Sequence, residues 1–195
     1  VDLSPEAVEY ARTRWSEAGR LRFLACDATH CEHLGAGRFD KAVSVDVIEH
    51  VLDDVMERLF AEARRLLRPG GVLYVYSPNA LHWIERLKAR DWLLRQDPTH
   101  IRVRTTAEVV GALNAAGFEI VRVARPPSMI PIVKWLEWLW MRQPVRSGLG
   151  VYRIAVLARK PEALPREHSG RDKGVSLSSH SGARSEERGR TERAV

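Results

Sequence analysis

Cys26 and Cys31 are the only two cysteines in 195 residues. Two are too few for a disulfide framework, and their spacing fits neither a zinc site nor a redox Cys-x-x-Cys pair. They read as free thiols in a reducing cytoplasm, which sets the expected location. Apolar runs stop far short of the ~20 residues a membrane span needs, and the opening residues lack the pattern of a secretory signal. No Lys/Arg cluster is interleaved with aromatics, as a single-strand nucleic-acid groove requires. The net charge of +6 is spread over residues such as Arg12, Arg14, Arg58, Arg64 and Arg65. Residues 161–195 add seven basic against six acidic side chains, so nucleic acid is not an expected partner. Internal repeats are also missing. Beyond Lys160 no aromatic remains, and a segment of Ser, Gly, Arg and Glu cannot bury enough surface to order itself. Residues 161–195 are expected to be a disordered polar tail, and residues 1–160 a single domain.

What is present is a series of apolar strands ending in polar residues. Phe39 to Val45 reads as a strand, followed by the acidic loop Asp46-Val-Ile-Glu-His50. A helix then carries Val55, Met56, Leu59, Phe60, Ala63, Leu66 and Leu67 inward, with Asp53 or Asp54 as its cap. Pro69-Gly-Gly turns the chain into a fully apolar strand, Val72 to Tyr76, which ends in Ser77-Pro-Asn79. Two strands joined by one helix make a βαβ unit, the building block of parallel sheets covered on both faces. In such sheets ligands bind beyond the carboxyl ends of the strands, where these polar residues fall. Ser4 before Pro5 marks a helix start, Leu21 to Cys26 a short strand, and Asn79 the start of a helix to about Leu94. Thr105 and Glu108 form a capping box, the helix they open ends at Gly117, and Phe118 to Val123 is a strand. A last strand spans Gly150 to Ala158. Leu34-Gly-Ala-Gly-Arg38 reads as a flexible turn.

In this order the elements resemble the class I S-adenosylmethionine (SAM) dependent methyltransferases, closest to the branch with the ubiquinone-biosynthesis O-methyltransferases. The resemblance runs from Val1 to about Lys160. Val1-Asp-Leu-Ser-Pro is similar to the end of the family's second strand, and Leu24-Ala-Cys-Asp-Ala28 to the end of the third. Val45-Asp-Val-Ile-Glu-His50 is similar to the loop after the fourth, and Asp97-Pro-Thr-His-Ile-Arg to the late segment before the last helix. The fold implied is an α/β Rossmann-like sheet with helices on both faces. The family's first strand and glycine-rich loop have no counterpart, so the chain is expected to be an N-terminally truncated methyltransferase domain that is not a stable, active enzyme on its own.

The resemblance implies SAM as cofactor, with Asp2, Leu3, Asp27, Ala28, Asp46 and Val47 in contact with it. Asp2 would accept the ribose hydroxyls; Asp27 and the Ala28 amide would read the adenine. It also implies a magnesium site: relatives carry an acidic residue, Glu and His at the spacing of Asp46, Glu49 and His50, and His100 resembles a fourth ligand of the RNA 2′-O-methyltransferases among them. Positions i, i+3 and i+4 share one face where the loop turns helical. A metal there would lower the pKa of an acceptor hydroxyl. His50, with Glu49, can instead act as a metal-free general base or touch the substrate, or merely open a helix. Trp135, Leu136, Trp138, Leu139 and Trp140 form an apolar segment that either packs in the core or covers an apolar or lipid-like substrate, with shallow membrane docking as a variant. The implied function is methyl transfer to a small-molecule oxygen, nitrogen or carbon. Its rivals are a metal-dependent RNA 2′-O-methyltransferase and a non-catalytic remnant of the fold; a nicotinamide dehydrogenase fits only the strand-end acid.

Overall fold

The computed structural model describes residues 1–15, 20–90, 95, 97–124, 126, 134–135, 138 and 152–162, all within a unit that spans Val1–Ala163. Ser4 caps helix α1 (Pro5–Trp15) as the sequence predicts, its Oγ accepting the Ala7 amide at 3.0 Å. The expected strand Leu21 to Cys26 does not form a ladder. Among the described residues only Asp2 lies alongside, so one parallel bridge to Ala25 results, with Cys26 N–H donating to the Asp2 carbonyl at 2.9 Å.

Strands β1 (Phe39–Val45) and β2 (Leu67–Pro78) pair in parallel, Val43 opposite Tyr74 and Val45 opposite Tyr76. β2 is longer than its apolar run because the Pro-Gly-Gly segment is drawn into the sheet rather than turning away. Gly70 supports this with φ of +75°, and a Cβ on Gly71 would lie 2.9 Å from the Arg68 carbonyl. β4 (Arg153–Arg159) inserts antiparallel between β2 and β3 (Glu119–Ala124), giving the order β1-β2-β4-β3. The sheet is mixed where a parallel one was expected. An apolar run fits either direction, so the pattern of side chains does not encode it.

Helix α2 (Asp53–Leu66) packs Met56, Leu59 and Phe60 into the core. Neither Asp53 nor Asp54 caps it: the cap position is Leu52, without a side-chain bond. Asp54 instead bonds Arg58 at 2.8 Å, and Asp53 is drawn to two arginines described below. The helix expected from Asn79 begins later, as α3 (Trp83–Lys88). Asn79 Oδ1 accepts the Leu81 amide at 3.2 Å and His82 Nδ1 the Ile84 amide at 3.3 Å, so the cap sits at His82. α4 (Thr106–Ala115) has the predicted capping box, and Gly117 ends it at φ +82°. Leu73 and Val75 of β2, Ile154 and Val156 of β4, Phe60 of α2 and Val109 and Leu113 of α4 make the core. Among the described residues no helix is long and apolar enough to cross a membrane. Leu136, Leu139, Trp140 and residues 163–195, the bulk of the expected tail, lie outside the described residues.

Candidate functional site

Past the carboxyl end of β1 the chain makes a tight turn at Asp46, whose φ of +48° is strained for a residue with a side chain. A 3₁₀ turn follows at Ile48–His50. The turn aims Glu49 inward, and its carboxylate, 1% exposed, accepts a hydrogen bond from Ser77 Oγ at 3.1 Å. Ser77 ends the neighbouring β2, so two adjacent strand ends meet at one carboxyl group. Burial raises the Glu49 pKa and the Asp46 charge adds to it; the backbone and Ser77 hydrogen bonds pull it down but do not win.

The segment before α4 closes over this turn. The Glu49 carbonyl accepts both the Ile101 amide at 2.9 Å and the Arg102 amide at 3.1 Å. That docking brings His100 beside His50, ring centroids 5.0 Å apart. Each of Glu49, His50 and His100 offers a ligand atom within 4.8 Å of the other two. His50 Nδ1 lies 2.9 Å from the Thr99 carbonyl. An N–H there donates to the carbonyl and leaves Nε2 with its lone pair, the arrangement that metal-bound histidines and general bases share. Asp97 shapes the segment by accepting the Thr99 amide at 2.9 Å and its hydroxyl at 2.7 Å, bonds that lower its own pKa.

Asp46 departs from the expectation. It neighbours Glu49, but its carboxylate forms an ion pair with Arg153 of β4 and stays outside the Glu49–His50–His100 group. A cationic partner on β4 competes for the carboxylate, and nothing in the loop sequence announces it. Arg153 itself sits over the Tyr76 and Tyr152 rings, 5.3 and 5.2 Å from their centroids.

Arg104 was also missed. It is 1% exposed, and apart from one bond to the Arg102 carbonyl at 3.1 Å its donors go to one loop. Nε and Nη2 bond Asp53 Oδ1 at 3.0 and 2.8 Å, Nη2 reaches the Val51 carbonyl at 2.9 Å, and Nη1 bonds the Ile48 carbonyl. Arg102 bonds the other oxygen of Asp53. Asp53 thus links the two histidine-bearing segments. An arginine immediately before a capping box is the signal that could have been read.

On the far side of the Asp2–Ala25 bridge, Asp2 and Asp27 emerge from adjacent segments, both exposed. Asp2 Oδ1 accepts the Ser4 amide at 2.9 Å. Asp27 Oδ1 accepts the amide and hydroxyl of Thr29, both at 2.8 Å, and those bonds lower its pKa. Leu3 and Ala28 are exposed beside them, and Val47 is half-buried. The structure therefore groups the expected residues into two sets, an exposed acidic pair and a cluster of buried Glu49 with half-buried His50 and His100.

Residues 1–75 match the family model described as "Methyltransferase domain". The chain is 38% identical over 81 residues to a probable S-adenosylmethionine-dependent methyltransferase of Mycolicibacterium smegmatis, covering 42% of this chain and 29% of that protein. It is 30% identical over 131 residues to a ubiquinone biosynthesis O-methyltransferase of Azorhizobium caulinodans, covering 64% of this chain and 51% of that one. The chain thus spans about a third to a half of the curated relatives it matches. A SAM-dependent methyltransferase from Methanosarcina mazei superposes with a TM-score of 0.61 at 21% identity, over 83% of this chain and 81% of its own. At that identity the likeness establishes the fold.

Proposed function

Because the chain carries a methyltransferase-domain sequence on a SAM-dependent methyltransferase fold, we propose that it binds SAM and directs its methyl group to a small-molecule acceptor. The observation that carries this reading is the pairing of Asp2 with the Ala25-to-Asp27 strand end. It brings two exposed aspartates to neighbouring segments, the acceptors a nucleoside needs: Asp2 for the ribose hydroxyls, Asp27 for the adenine amino group. The Ala28 amide faces a ring nitrogen, Leu3 flanks the ribose, and Asp46 and Val47 border the amino-acid end. SAM brings an already activated methyl, so the protein's task is alignment and exclusion of water. Val47 and Ile48 wall that space. His50 Nε2 takes the proton from an acceptor hydroxyl. The Azorhizobium relative is named as an O-methyltransferase, which favours oxygen as the acceptor atom.

The Glu49–His50–His100 group is also suited to a divalent cation. With Asp46 held by Arg153, one carboxylate and two imidazoles remain. That set suits manganese or zinc better than magnesium, which prefers oxygen and water. A cation held there would orient an acceptor oxygen. Trp135 and Trp138, 59% and 48% exposed, support an apolar acceptor.

Calorimetric titration with S-adenosylhomocysteine tests the reading directly. The chain should bind it, and Asp27→Ala should weaken binding about tenfold, the worth of a charged hydrogen bond. Absence of any binding heat and of any thermal shift at millimolar ligand would refute it.

A further inference from the structure

The two cysteines that look unrelated in sequence are brought together at the Asp27 loop. Cys26 Sγ and Cys31 Sγ lie 3.1 Å apart, about 1 Å more than a disulfide bond length. The loop between them is already closed by the His30 amide on the Asp27 carbonyl at 3.0 Å, and Cys31 Sγ–H donates to the same carbonyl at 3.2 Å. Both ends are fixed. The Cys26 amide donates to Asp2, while Cys31 donates through its amide to Glu62 Oε1 at 2.9 Å and accepts from Arg65 Nη2 at 3.0 Å. α2 therefore holds one sulfur against the other. The pair is also asymmetric: Cys26 is half-exposed, whereas Cys31 is 1% exposed.

We propose that Cys26 and Cys31 are a reversible disulfide site that closes the loop carrying Asp27 and Ala28. A small-molecule disulfide is the oxidant. The Cys26 thiolate attacks it, one small thiol leaves, and a mixed disulfide remains on Cys26. The Cys31 thiolate then attacks the Cys26 sulfur and expels the second small thiol. Two S–H bonds are exchanged for one S–S bond in the protein, and the oxidant takes up the two electrons and both protons. Burial and the neighbouring Cys26 push the Cys31 thiol up to about 12, so the second step is the slow one and quickens as pH rises. Oxidation also removes the thiol proton donated to the Asp27 carbonyl, so the loop is restrained by a covalent bond instead. Its consequence for the cofactor rests on the adenosyl-binding reading above; the bond itself does not.

Oxidised glutathione is the probe. After incubation, alkylation and peptide mass spectrometry should show an internal Cys26–Cys31 link, reversed by dithiothreitol. Cys31→Ser should stop at glutathione on Cys26, with circular dichroism confirming that the variant folds. Hydrogen exchange at residues 27–30 should slow in the oxidised chain, and S-adenosylhomocysteine affinity should change at least threefold. Separate alkylation of both thiols, or linkage only between molecules, overturns the site. An internal link with exchange and affinity unchanged overturns its control of the loop. A link that forms and slows exchange in a chain that binds no adenosyl ligand in either state upholds the site and refutes the cofactor reading alone.

Discussion

A carboxylic acid as buried as Glu49 holds its proton more tightly than the same group in the unfolded chain. With the folded pKa above the unfolded one, the fold carries no charge penalty below about pH 4.5 and loses stability as pH rises through the folded value. Glu49→Gln, neutral throughout, should therefore be more stable than wild type at pH 8 in chelator, with the gap closing towards pH 4. Adding manganese should stabilise the wild type and leave the variant unmoved; urea unfolding with and without metal measures both. A variant less stable at pH 8 would mean that the ionised carboxylate is better solvated than its burial indicates. His82 has the opposite sign. It is fully buried, and burial lowers its pKa to about 4, with Lys88 contributing. The unfolded chain binds that proton first, so stability is full above about pH 6.5 and drains away as pH falls towards 4. The loss amounts to about 3 kcal/mol. His82→Gln should show a shallower loss between pH 7 and pH 4.5 in urea titrations; equal losses would assign the acid sensitivity to other groups.

The elements themselves were largely legible because local chemistry dictates them. Thr105 and Glu108 announce α4, Ser4-Pro5 announces α1, and the apolar runs announce β1, β2 and β3. What was not legible depends on long-range partners. The strand proposed at Leu21 to Cys26 has the right composition but, among the described residues, only Asp2 to pair with. Asp53 has the composition of a cap and is instead recruited by Arg102 and Arg104, 49 and 51 residues away. At the site, spacing alone puts Glu49 and His50 on one turn and only the family resemblance pointed to His100, whereas the diversion of Asp46 to Arg153 required the antiparallel placement of β4. Arg104 shows what such a partner does for an element. Its guanidinium fixes the carbonyls of Ile48 and Val51 around the 3₁₀ turn, and lysine cannot reproduce a fork of this geometry. Arg104→Ala strands these buried carbonyls and should cost about 3 kcal/mol. Arg104→Lys should lose less stability yet weaken manganese binding at least tenfold, because the turn that aims Glu49 and His50 loses its brace. Calorimetry on the lysine variant decides: unchanged metal affinity would reduce Arg104 to a stability role.

Across the whole sheet, the two faces of β1 are unequal. Ala42 and Ser44 point to the side where α2 and α4 build the core, while Val43 and Val45, 67% and 47% exposed, point to the other. Their cross-strand neighbours there are Tyr74 and Tyr76, stacked with centroids 6.4 Å apart. Among the described residues β1 pairs only with β2, so its outer edge presents unpaired amides and carbonyls next to an open valine row. Long apolar edges of this kind recruit further strands, and charges placed on them are the common remedy. The net charge of +6 opposes association at low salt and is screened above about 0.1 M, where the Debye length falls to ~10 Å. Self-association should accordingly rise with salt, as no electrostatically driven contact would. Sedimentation velocity across a salt series should show this for wild type. Val43→Lys should abolish it while shifting unfolding stability by no more than about 0.5 kcal/mol, since the side chain is already in solvent. An association that weakens with salt, or that survives the lysine, would place the contact on charged surface elsewhere and leave the β1 edge without a role in it.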